Sequence, residues 1–90
     1  MRNVTDELLL QELEALAERL EINLNRVDLE GRPGGLCVIK GERRFILDRT
    51  LDVKAQVEVL SKAFGKLPLD DVFLKPAVRD AIDNQGDAWV

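Results

Sequence analysis

Residues 36–48 read LCVIK, then Gly41-Glu42, then RRFILD. Two runs rich in β-branched and aromatic residues flank a two-residue turn that opens on glycine, the layout of a type II′ hairpin. In a chain of 90 residues this constrains everything else. A two-stranded ribbon is barely stable alone in water, so the flanking segments have to cover its apolar side.

Both flanks carry the periodicity of helices. Leu9, Leu10, Leu13, Leu16, Ala17 and Leu20 share one side of a helical wheel, and Glu7, Gln11, Glu14 and Glu18 share the other. Thr5 is placed to cap the first turn, with Asp6 and Glu7 next to the positive helix end. The expected helix covers residues 6–20, with Leu8 outside its apolar stripe. Beyond the hairpin, Asp52 is placed to cap a second helix over residues 53–66. Val53, Val57, Leu60, Phe64 and Leu67 recur there at steps of four and three, and Pro68 stops it. Residues 69–74 read as a helical turn. Pro76 opens a last helix at a position where its missing N–H costs nothing. Val78, Ala81 and Ile82 are that helix's apolar contacts, and Asn84-Gln85-Gly86 ends it.

The stretch 22–28 predicts a short strand that widens the hairpin to three antiparallel strands. EGRPGG, residues 30–35, is a turn by its glycine and proline content and lacks the spacing of a phosphate-binding loop. The expected fold is therefore α+β: an N-terminal amphipathic helix, a small antiparallel sheet and two C-terminal helices packed on one face. It forms one domain over residues 1–86, with a frayed tail at 87–90 that carries Trp89. The expected core is Leu9, Leu13, Leu16, Leu20, Leu36, Val38, Phe45, Leu47, Val57, Leu60, Phe64 and Leu67.

Composition narrows the chemistry. The chain has no histidine and one cysteine. That excludes Ser-His-Asp and Cys-His catalysis, histidine-ligated zinc, cysteine-pair metal sites and an intrachain disulfide. Cys37, within a short apolar strand, reads as a small buried hydrophobe. A lone cysteine suits a reducing cytoplasm. The first ten residues lack a signal-peptide layout, and no apolar run approaches the roughly 18–20 residues of a membrane span. The chain is expected in the cytoplasm.

Charge is segregated. Residues 1–30 carry net −5, residues 31–66 net +4 and residues 67–90 net −3, which sum to −4. Lys40, Arg43, Arg44 and Arg49 make the hairpin basic. Edge protection accounts for them better than a nucleic-acid patch, because the total charge is negative and no aromatic platform accompanies them. Asp70, Asp71, Asp80 and Asp83 leave open a carboxylate-based, metal-dependent enzyme, though seventeen acids in such a chain produce neighbours by chance.

The order helix, strand, glycine-rich turn, hairpin, Asp-capped helix resembles the core of the ImmA/IrrE-type metallopeptidases over residues 13–67. The matching pieces are LEALAERLEINLNRVDLEG, GGLCVIKGERRFILDRTL and DVKAQVEVLSKAFGKL. In that family the second helix carries His-Glu-x-Gly-His, where this chain has Lys62-Ala63-Phe64-Gly65-Lys66. Gly65 matches, both metal-ligand positions are lysine and the general-base position is alanine. The family's downstream metal ligand finds no counterpart. Ammonium groups have no lone pair for Zn²⁺, and a methyl group takes no proton from bound water. The resemblance thus implies a metal-free, non-catalytic relative that keeps a binding surface. Its partner would be a transcriptional regulator, since such regulators work beside family members. No cofactor is expected. The candidate interaction face is Val59, Lys62, Ala63 and Lys66, suited to the last helix, an acidic partner or a second copy in a homodimer.

Overall fold

The computed structural model describes residues 4–30, 32 and 34–87. Its elements run α1 (Val4–Arg19), β1 (Asn23–Val27), β2 (Gly34–Ile39), β3 (Glu42–Asp48), α2 (Val53–Phe64) and α3 (Pro76–Asp87). The α+β architecture is the expected one, with differences at boundaries and in the sheet.

The strand order is β1-β3-β2, so the sheet is mixed and not wholly antiparallel. β2 and β3 form the antiparallel hairpin, with Ile39 opposite Glu42 and Leu36 opposite Phe45. β1 joins the far side of β3 in parallel, Leu24 beside Phe45 and Arg26 beside Leu47. The backbone bond from Arg49 N–H to Val27 C=O, 2.9 Å, carries that ladder one step further. β3 therefore fills the slot between two strands that are consecutive in sequence. Phe45, Leu47 and Asp48 are buried there, as a central strand requires.

The turn is Lys40-Gly41, and Glu42 already belongs to β3. Both central residues have positive φ, 52° and 79°, the type I′ pattern and not II′. β2 also begins earlier than expected, at Gly34.

α1 starts at Val4, which places Thr5 inside the helix and not at its cap. Its C-terminus has neither glycine nor proline, yet it closes cleanly. Glu21 adopts φ 58°, its N–H donates to Glu18 C=O at 3.0 Å, and Ile22 N–H donates to Ala17 C=O at 2.9 Å. This is the Schellman arrangement, and Ile22 and Ala17 are both buried where it closes. α2 begins as expected, the Asp52 carboxylate accepting from Ala55 N–H at 2.8 Å. It ends at Phe64, two residues early, with Gly65 as C-cap. Pro76 is the first residue of α3, which includes Asp87; residues 88–90, with Trp89, lie outside the described residues.

α1 and α2 lie side by side on one face of the sheet, α1 against β1 and α2 against β2 and β3, while α3 packs on α2 and reaches α1. Leu13, Leu60 and Phe64 are fully buried where these layers meet, and Phe64 stands edge-on to Phe45 with ring centroids 4.7 Å apart. Leu10 is buried and Leu9 only partly, while Ile22 and Leu74 join the core from outside the expected set. Val78 and Ile82 are buried as expected of α3. Val38 is not core: 66% of it is exposed, because the distal half of β2 overhangs the helices. Arg26 ties the layers together, donating to Gln56 Oε1 at 2.9 Å and to Glu14 Oε2 at 2.7 Å, while Gln56 Nε2 donates to Leu51 C=O.

Candidate functional site

β2 is an edge strand, and its free side borders α2. In a hairpin with a two-residue loop, the residues flanking the loop exchange both backbone bonds and every second pair repeats this. From the register, Ile39, Cys37 and Gly35 thus turn their N–H and C=O groups toward β3. Leu36 and Val38 turn theirs outward, away from the sheet.

Along this edge runs a groove of about 120 Å³. Gly34, Gly35 and Leu36 form one wall. Val59 and Ala63 from α2 form the other, with Lys62 and Lys66 beside them. The structure therefore brings together all four residues of the expected interaction face. α2 achieves this because Val59, Lys62, Ala63 and Lys66 follow a helical spacing of three and four. Lys66 lies just past the helix. Gly65 keeps right-handed angles (φ −62°, ψ −15°), and Lys66 N–H donates to Ala63 C=O at 3.2 Å, so the spiral continues far enough to keep both lysines on one side. Val59 is half-buried, Ala63 buried and both lysines exposed.

A second, larger recess of about 570 Å³ adjoins the groove through Gly34, Gly35, Leu36 and Lys66. It is lined further by Leu29, Arg32, Cys37 and Ile46. Sequence spacing gives no sign of this recess, because Arg32 sits among turn residues and nothing local signals its approach to Lys66. Neither the Arg32 nor the Lys66 side chain has an ion-pair partner among the described residues.

Glycine is required at the hinge between the two cavities. A Cβ on Gly34 would stand 1.8 Å from the Ile46 carbonyl oxygen, and its φ of +86° is left-handed. Gly35 has φ +140° with open space around it.

The other expected groupings are dispersed. Strand alternation puts Arg43 on the helix-covered face and Arg44 on the opposite one. Arg44 pairs with Glu42 at 3.2 Å, Lys40 sits in the turn, and Arg49 follows the far end of β3, so the four hairpin cations form no single patch. Cys37 is exposed and not buried, because alternation sends it to the face that no helix covers. The sole serine, Ser61, is fully buried with its hydroxyl unbonded among the described residues, out of reach of a substrate. Among the described residues no three His, Cys, Asp or Glu side chains gather where they could hold a metal, and Asp70, Asp71, Asp80 and Asp83 are all exposed. No helix of the described residues is long and apolar enough to cross a membrane.

The chain matches no family model, no curated protein and no solved structure.

Proposed function

We propose that this chain is a non-catalytic protein-interaction module and that the β2–α2 groove is its working surface. The observation that carries this reading is an edge strand whose outward backbone groups have no partner among the described residues, bordering a groove of mixed apolar and basic character. Strand edges left bare are templates for another chain, and proteins without a use for them block them. The sequence supplies no histidine for acid–base or zinc chemistry, and lysine and alanine occupy positions 62, 63 and 66, where the resembled peptidases hold metal and base. On this reading the module works in the cytoplasm, and a transcriptional regulator is the class of partner the resemblance favours.

A selection from a random peptide library displayed on phage tests the reading. Enriched peptides are expected to perturb the backbone resonances of Leu36, Val38, Val59 and Ala63 and to lose binding to a Val59→Glu variant. Peptides that bind equally well to that variant would contradict the assignment of the surface. Stoichiometric zinc in the purified protein would contradict the non-catalytic part.

A further inference from the structure

We infer that the occupant of the groove is an extended acidic segment of another protein, added to β2 as a fourth strand; this rests on the interaction reading above. Three features of the site select that chemistry.

The first is size. An added strand lies in the plane of the sheet about 4.8 Å from its neighbour, whereas a helix with its side chains is roughly 10 Å across. A groove of about 120 Å³ between β2 and α2 has room for a side chain or two of such a strand and none for a helix. The outward N–H and C=O groups of Leu36 and Val38 then gain partners irrespective of the segment's sequence.

The second is alternation. Side chains of an added strand point by turns to the two faces of the sheet. One set meets Val59, Lys62, Ala63 and Lys66, and the other meets the recess beside Leu29, Cys37 and Ile46. Acidic residues facing α2, interleaved with apolar residues facing the recess, fit both. Gly34 and Gly35 present no side chains to obstruct either set.

The third is charge. Arg32 and Lys66, neither of them ion-paired among the described residues, gather at this one site in a chain whose net charge is −4. Charge complementarity also decides against a second copy of the chain. A two-fold pairing of β2 with β2 would set each copy's Arg32 and Lys66 close to the other's, and like charges that close oppose association.

The experiment is a fluorescence-anisotropy titration with three labelled peptides, Glu-Val-Glu-Val-Glu and its counterparts with glutamine or lysine in place of glutamate. The glutamate peptide is expected to bind about tenfold or more tightly than the glutamine one. It should weaken severalfold between about 50 and 300 mM salt, as exposed charge pairs do. Arg32 and Lys66 are both exposed, so Arg32→Glu and Lys66→Glu are expected to keep the fold by circular dichroism; Lys66→Glu, in the groove that takes the acidic set, is expected to lower affinity for the glutamate peptide about tenfold, and Arg32→Glu, in the adjoining recess, to lower it less. Equal binding of the glutamine and glutamate peptides, lost in Val59→Glu, would overturn the acidic occupant and leave the interaction reading standing. Binding of neither peptide, or binding that Val59→Glu does not change, would overturn both.

Discussion

Among the positions with left-handed φ, Gly34 and Glu21 respond oppositely to substitution. Gly34 sits where a Cβ would collide with the Ile46 carbonyl, 1.8 Å away, at φ +86°. Gly34→Ala is expected to lose about 2 kcal/mol or more in denaturant unfolding, because either the β2–β3 pairing opens or the backbone shifts. Gly35→Ala, with φ +140° but nothing within 4 Å, pays for conformation without the collision and is expected to lose less. Glu21 is the reverse case, a side chain held at φ 58° by the helix cap it completes. Glu21→Gly keeps the cap and relieves the left-handed penalty, so the unfolding midpoint is expected to rise by the equivalent of about 0.5–1 kcal/mol. Neither position was legible as such. Gly34 lay in a glycine-rich stretch readable only as a turn, and a glutamate gives no hint that a helix stops there.

Between elements, Arg26 reaches from β1 to Gln56 on α2 and Glu14 on α1, and Gln56 in turn holds the Leu51 carbonyl. The guanidinium and the Glu14 carboxylate are each about a third exposed, so water screens their pairing. Arg26→Ala is therefore expected to cost about 1 kcal/mol. A double-mutant cycle with Gln56→Ala should give a coupling of about 0.5 kcal/mol or more, while a coupling of zero would mean the bridge carries no energy. The elements themselves were largely readable: the stripes of α1 and α2, the Asp52 cap, the hairpin and Pro76 all follow from local spacing. What local spacing cannot express is pairing at a distance. The parallel seating of β1 against β3 depends on which slot β3 fills, and only that seating makes β2 an edge. The four residues of the candidate face were legible because they obey one helix's period. Their opposing wall, Gly34 to Leu36, and the cation Arg32 come from the other end of a loop, so no spacing within α2 could reveal them.

For the molecule as a whole, the layers account for where the proposed partner would fit. α1 and α2 cover one side of the sheet and α3 packs outside them, leaving β2 uncovered along its free side with Val38 and Ile39 exposed. A chain with so small a core has little stability to spare, and a fourth strand would raise it by mass action. The same edge, unoccupied, is where self-association would start, and the cations beside it oppose that. The most direct measurement is amide hydrogen exchange, residue by residue, in the free protein and with the glutamate peptide at saturation. The account predicts that in the free protein the Leu36 and Val38 amides exchange fast while those of Cys37 and Ile39 are protected, and that the peptide slows Leu36 and Val38 about tenfold or more. Leu36 and Val38 amides that keep their free-protein rates at saturation would contradict it.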